Sequence, residues 1–112
     1  MKISIPKETT LNETRVAATP QSVKELIKAG YEVNIETGAG TRSFISDDDF
    51  KNAGANIVKT TNELFKDSDL IIKVAAPTND EIDLMPKDSI LVSLFQPTIE
   101  LEKVKSISNK NI

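Results

Sequence analysis

The chain alternates short β-prone apolar runs with segments that carry helix-start signals, and this alternation constrains the fold more than any other feature of its 112 residues. The β-prone runs are Ile3–Ile5, Tyr31–Ile35, Asn56–Val58, Leu70–Val74 and Ser89–Phe95. The last two are almost continuously apolar, which is typical of strands buried on both faces of a sheet. The pattern predicts an α/β, Rossmann-like (flavodoxin-like) three-layer domain with a mainly parallel sheet.

Hydroxyl residues that can cap a helix stand between these runs. They are Thr19, Ser46, Thr60, Thr78 and Thr98. The acids Asp47–Asp49 follow one of them, where they suit the positive end of a helix dipole and lack the spacing of a calcium loop. Asn109–Asn111 resembles a turn, and Ile112 resembles the first residue of another strand. We therefore expect the fold to be truncated, with an open sheet edge.

Composition excludes several classes of function. The chain has no cysteine and no histidine, so thiolate chemistry, a cysteine-based zinc site and the commonest neutral-pH general base are all missing. The formal net charge of -3 does not indicate a nucleic-acid partner. No apolar run approaches the roughly 20 residues that span a bilayer, so we expect no direct membrane insertion. The N-terminus lacks a signal-peptide pattern, which predicts a cytoplasmic protein.

Gly38-Ala39-Gly40 is the only glycine cluster. A dinucleotide fingerprint needs a third spaced glycine and a helix that starts directly after it, but Ser43 stands at the third position. The cluster therefore predicts a tight turn rather than a phosphate loop. Because Ser and Thr also lack a histidine partner, the sequence predicts no catalytic residue, and it predicts no metal site.

Three residues are candidates for a ligand pocket, since each follows or ends a strand at the edge where open α/β sheets bind ligands. Arg15 can hold a carboxylate or phosphate, or it can pair with Glu8 or Glu13 and pin its loop. Lys73 is unusual in an apolar run, so it either points into a cleft, extends its amine to solvent or marks a wet edge. Gln96 can bind a ligand through its amide or serve a simple turn.

Several blocks occur in an order that resembles the N-terminal family shared by alanine dehydrogenase and the α subunit of NAD(P) transhydrogenase. They are Ile3–Glu8, Asn12–Pro20, Glu36–Gly40, Asp69–Val74 with Pro77, and Leu91–Ser93. The resemblance covers essentially the whole chain. It implies that residues 1–112 are an N-terminal subdomain, and that the glycine-rich NAD-binding subdomain lies outside them.

Two positions separate the relatives. Alanine dehydrogenases carry a substrate-binding lysine at the position of Ala75 and a catalytic histidine at that of Gln96, while their carboxylate-binding arginine is retained as Arg15. The resemblance therefore favours transhydrogenase, in which hydride passes directly between NAD(H) and NADP(H). Because the nicotinamides exchange the hydride themselves, that reaction demands no protein acid or base.

The resemblance also implies partners. They are the rest of the α subunit, the β subunit with its membrane domain, and a second copy in a homodimer. Through them the protein would lie at the bacterial inner membrane and couple hydride transfer to proton translocation. We expect this chain alone to bind NAD weakly and to be inactive. The alternatives are an alanine dehydrogenase-like fragment and a non-catalytic module for assembly or ligand sensing.

Overall fold

A single parallel sheet forms the centre of the domain in the computed structural model, which describes residues 1–10, 12–93 and 101–112, the first four of the last range by backbone alone. Within those ranges five strands pair in the order β3-β2-β1-β4-β5, and every pairing is parallel. The strands are β1 Lys2–Ile5, β2 Glu32–Glu36, β3 Asn56–Val58, β4 Leu70–Ile72 and β5 Ile90–Val92.

Helices connect the strands. They are α1 Pro20–Lys28, α2 Asp47–Asn52, α3 Thr61–Phe65, α4 Asn79–Leu84 and α5 Leu101–Asn109, with a short 3-10 helix at Thr41–Ser43. Four of the predicted N-caps are confirmed by side-chain hydrogen bonds, while Thr98 lies outside the described residues. None of the helices in the described ranges is long and apolar enough to cross a membrane.

The strand order confirms the predicted Rossmann-like α/β fold. It matches the first five strands of the Rossmann order and differs from the flavodoxin order. The chain moves outwards from β1 to β2 and β3, and then returns to place β4 on the other side of β1. Strand order therefore reverses between β1 and β4, and in open α/β sheets the carboxyl ends at such a switch point form the ligand crevice.

Two apolar cores flank the sheet. On one face Ile5 and Ile35 pack with Val23 of α1 and Phe50 of α2. On the other face Ile71 packs with α3 residues and Met85. Successive side chains of β1 and of β4 project to opposite faces of the sheet, since side chains alternate along a strand. The domain therefore has the predicted three layers of helix, sheet and helix.

Strand β4 is shorter than the predicted Leu70–Val74, and this prediction is corrected. Lys73 N–H still donates to the Val92 carbonyl of β5. The next two amides, of Val74 and Ala75, donate instead to the carboxylate of Glu8. A buried acid from the loop after β1 thus ends the ladder. The prediction for Ser89–Phe95 is confirmed at Ile90–Val92 and corrected at Ser89 and Ser93, which lie outside the strand, while Phe95 lies outside the described residues.

The Ser46 cap is expected to stabilise helix α2. Its hydroxyl accepts the Asp49 N–H, and the Asp49 carboxylate accepts the Ser46 N–H in return. We expect Ser46→Ala to lower the free energy of unfolding by about 1 kcal/mol, because the Asp49 amide in the first turn of α2 loses its side-chain acceptor. Urea unfolding measures this. Ser46→Thr keeps the hydroxyl and is the matched control, so an equal loss in both variants would contradict the capping role.

Candidate functional site

A small cleft lies at the carboxyl edge of the sheet, between the loop after β1 and the turn after β2. Its walls are Lys7, Glu8, Glu13, Thr14, Arg15, Gly38, Ala39 and Arg42. Three of these side chains are cationic and two are acidic. The cleft therefore offers several charged groups at an edge where α/β folds place ligands.

The turn that forms one wall of the cleft depends on Gly40. A Cβ at this position would lie 2.6 Å from the Ile45 carbonyl oxygen and 2.8 Å from Cε2 of Phe50. The close approach of this backbone to the core thus requires glycine. Asp47 at the start of α2 also accepts bonds from the Thr37 hydroxyl and the Gly38 amide. The predicted tight turn is confirmed, and helix α2 holds it in place.

Arg15 stands on the opposite wall and pairs with Glu13. Its Nε donates to Glu13 Oε1 at 2.8 Å, and its Nη2 donates to Oε2 at 3.0 Å. Of the two pairings predicted for the loop-pinning role, the structure forms the one with Glu13. Arg42 donates to the Glu13 carbonyl and Ser43 to the Thr14 carbonyl, which fixes the same loop from the side of β2.

The guanidinium of Arg15 remains accessible despite this pair. Its side chain is 63% exposed, and Glu13 occupies only the edge formed by Nε and Nη2. The Nη1–Nη2 edge can still receive a carboxylate or phosphate in bidentate geometry. Pinning of the loop and binding of an anion are therefore compatible roles of Arg15.

The pair makes a prediction for the pH dependence of Glu13. Hydrogen bonds and charge from Arg15 lower the pKa of the Glu13 carboxyl from 4.5 to about 2. Since the folded-state pKa is depressed, the pair's contribution to stability is present above the unfolded value and is lost as pH falls through the folded one. We expect the carboxyl carbon of Glu13 to titrate near pH 2 by NMR, and at a clearly higher pH in Arg15→Ala, which keeps only the backbone amide bonds to this carboxylate. A normal midpoint in the unmodified chain would show that the pair does not form.

A buried ion cluster lies beside the cleft, where β1 and β4 are adjacent. The Lys73 ammonium contacts Glu8 Oε1 at 3.1 Å, Glu81 Oε1 at 3.6 Å and the Ala75 carbonyl at 2.9 Å. The side chains of Lys73 and Glu8 are 1% and 2% exposed. This burial excludes two of the arrangements predicted for Lys73, an amine that extends to solvent and a wet sheet edge. The geometry gives Lys73 internal partners.

Sequence reasoning considered Glu8 only as a partner of Arg15 and missed its contact with Lys73. The Glu8 carboxylate accepts the ammonium of Lys73 and two backbone amides, of Val74 and Ala75. Sequence reasoning also missed the contact of Glu81 with Lys73, although the Thr78 cap predicted that a helix starts there. The available signal was Lys73 itself, because a lysine in a buried run needs an acidic partner.

The three predicted site residues therefore fall in different places. Arg15 lies on a wall of the cleft. Lys73 lies next to it but does not line it, and reaches it only through Glu8. Gln96 lies outside the described residues, so its predicted role stays a prediction. Lys7 and Arg42 also line the cleft and were not predicted.

Residues 4–112 match the family described as the alanine dehydrogenase/PNT N-terminal domain. An alanine dehydrogenase of Methanococcus maripaludis is 39% identical over 112 residues. A NAD(P) transhydrogenase subunit alpha of Haemophilus influenzae is 40% identical over 112 residues. Both matches cover 100% of the chain. The crystal structure of transhydrogenase from Sinorhizobium meliloti superimposes on 99% of the chain with a TM-score of 0.94 and 31% identity.

The chain spans only part of each of these proteins. It covers 30% of the alanine dehydrogenase, 22% of the transhydrogenase subunit and 33% of the crystallised chain. The shared domain occurs with both kinds of enzyme at nearly equal identity. Overall similarity therefore does not choose between the two activities, and the choice depends on individual residues of the site.

Proposed function

Because this chain belongs to the alanine dehydrogenase/PNT N-terminal domain family, we propose that it is the N-terminal part of the NAD(H)-binding component of a proton-translocating NAD(P) transhydrogenase. In the whole protein, hydride passes between NAD(H) and NADP(H), and a membrane domain couples the transfer to proton movement. Residues 1–112 supply the switch-point edge and the Arg15 cleft. The glycine-rich NAD-binding subdomain belongs to the rest of the α subunit.

The observation that carries the proposal is the residue at position 75. It follows β4 at the carboxyl edge, where the alanine dehydrogenase pattern places a substrate-binding lysine, and here it is alanine. Lys73 is a poor substitute, because its ammonium already contacts Glu8, Glu81 and the Ala75 carbonyl. An amino-acid substrate therefore lacks one of its expected cationic contacts. Hydride transfer between two nicotinamides needs no such cationic contact.

Arg15 fits the proposal as the contact for an anionic group of a bound ligand. Its side chain lines the cleft together with Lys7 and Arg42. The three cations of the cleft outnumber its two acids, and the net positive charge favours a phosphate or carboxylate over a neutral group. The retained arginine is thus compatible with cofactor recognition as well as with substrate recognition.

Assembly and location follow from the same proposal. A transhydrogenase subunit alpha implies a β-subunit partner, and we propose that this protein pairs with one and forms a homodimer. It then lies on the cytoplasmic side of the bacterial inner membrane, held there by its partners. Co-purification of the whole protein with a membrane-bound β subunit supports this arrangement, whereas its recovery without any such partner argues against it.

The second candidate function is alanine dehydrogenation. It is favoured by the retained Arg15, whose exposed guanidinium can bind an amino-acid carboxylate. It also has a relative of equal similarity in the Methanococcus maripaludis enzyme. Ala75 is the observation against it, because the substrate would lose its lysine contact.

Steady-state assays of the whole protein that carries this sequence, purified together with its proposed β-subunit partner, test the choice. One assay follows reduction of a thionicotinamide analogue of NADP⁺ by NADH, and the other follows NADH formation from NAD⁺ and L-alanine. We expect turnover in the first assay and none in the second. Turnover only with alanine would replace the proposed function by the second candidate, and turnover in neither would favour the non-catalytic module.

Titration of this chain with NAD⁺ by calorimetry tests whether the cofactor binds to this subdomain or to the rest of the protein. We expect no binding in the micromolar range, because the described strand-to-helix turns contain no glycine-rich phosphate loop. Lysozyme serves as a control for nonspecific heats. A micromolar dissociation constant for this chain would contradict the assignment of the cofactor site to the rest of the protein.

A further inference from the structure

The buried ion cluster joins the loop after β1, which forms one wall of the cleft, to the end of β4 at the switch point. Glu8 lies in the loop after β1, the loop that continues to Arg15. Lys73, Val74 and Ala75 lie directly after β4. The Glu8 carboxylate accepts the Lys73 ammonium at 3.1 Å, the Val74 amide at 2.9 Å and the Ala75 amide at 3.1 Å. One carboxylate thus fixes three consecutive residues of the neighbouring strand end.

The cluster reaches a third element as well. Lys73 contacts Glu81 of α4 at 3.6 Å, and the same Glu81 oxygen accepts the Thr78 amide at 2.8 Å. The segment from β4 to α4 is therefore held at both ends. The Arg15 loop is therefore held from two sides, by the ion cluster at Glu8 and by Arg42 at the Glu13 carbonyl.

Stability alone is a poor explanation for such a cluster. The dehydration of two buried charges roughly offsets their attraction, and apolar residues of similar volume often replace a buried ion pair without loss of stability. The charged groups instead make the contact between the two segments directional. A carboxylate with three donors at fixed angles permits one relative placement of the two segments, whereas apolar contacts tolerate small shifts.

We propose that Glu8 and Lys73 are positioning residues. Their ion pair sets the placement of the Arg15 loop relative to the Val74–Ala75 segment, and this placement determines how tightly an anionic group binds at Arg15. The ligand class is a phosphate or carboxylate group. The proposal rests on the proposed function only in giving Arg15 a ligand, and it holds for either of the two candidate activities.

The test separates positioning from stability with a double variant of this chain that removes the Glu8–Lys73 ion pair, Glu8→Gln with Lys73→Met. Unfolding in urea measures stability. Binding is measured by titrating inorganic pyrophosphate, and separately malonate, while following the Arg15 Nε–H signal by NMR. We expect a moderate loss of stability, because Glu81 loses its cation, and anion binding about tenfold weaker, because the loop that carries Arg15 is no longer fixed. The more tightly bound anion identifies the preferred group.

Lys59→Met, which removes an exposed lysine, is the matched control and should leave binding unchanged. If the double variant binds the anions as tightly as the unmodified chain, the cluster is merely structural and the proposal fails. It also fails if the unmodified chain shows no saturable shift at Arg15. If the double variant does not fold, Glu8→Asp decides, since it keeps the charge but shortens the side chain: it must retain the fold and bind more weakly. None of these results depends on which activity the whole protein has.

Discussion

Lys73→Met is expected to lower the free energy of unfolding by about 3–5 kcal/mol, because it leaves two buried carboxylates without their cation. Glu8 and Glu81 are 4% and 7% exposed, so water cannot replace the ammonium without opening the structure. The methionine has a similar volume, and the loss therefore measures charge rather than packing. Chemical denaturation followed by circular dichroism gives the value.

Two further variants make this prediction specific. Lys59→Met removes an exposed lysine and should change the stability by no more than about 0.5 kcal/mol. Adding Glu8→Gln to Lys73→Met should recover part of the loss, because it removes one of the two uncompensated charges and leaves only Glu81 without its cation. Equal effects at positions 59 and 73 would mean that the Lys73 ammonium is hydrated in solution.

Phe50→Ala is expected to lower the free energy of unfolding by a similar amount, about 3–5 kcal/mol. Phe50 is 0% exposed and belongs to the core between the sheet, α1 and α2. Its ring also lies directly beneath Gly40, in the turn that forms a wall of the cleft. Truncation therefore removes apolar contacts and leaves a cavity under that wall.

Phe44→Ala is the matched control for the core substitution. Phe44 is 98% exposed, so the same truncation should change the stability by no more than about 0.5 kcal/mol. Thermal or urea unfolding of both variants gives the comparison. Similar losses at positions 44 and 50 would contradict the described placement of the two rings.

Local features of the fold could be predicted because their causes are local. Thr19, Ser46 and Thr78 cap helices whose first donors lie three residues away, and the sequence contains both partners. The parallel sheet follows from strands that alternate with helices. Family membership was also predicted, from blocks such as Asn12–Pro20, and the family match at residues 4–112 confirms it.

The details of the site depend on contacts that are distant in sequence. The end of β4 was placed two residues too late, because Glu8 reaches it from the loop after β1. Whether Arg15 pairs with Glu8 or Glu13 also could not be decided from spacing. Glu8 lies on the side of Lys73, and this follows only from the strand order that places β1 beside β4. The strand order itself was not predicted.

The destination of the hydride distinguishes the two candidate activities, and one isotope experiment measures it directly. The whole protein carrying this sequence, together with its proposed β-subunit partner, is incubated with NADH deuterated at the transferable C4 position and with NADP⁺, pyruvate and ammonium. Mass spectrometry then locates the label. The proposed function predicts deuterium in NADPH and none in alanine. Deuterium at the Cα of alanine, with none in NADPH, would contradict it and establish amino-acid dehydrogenation despite Ala75.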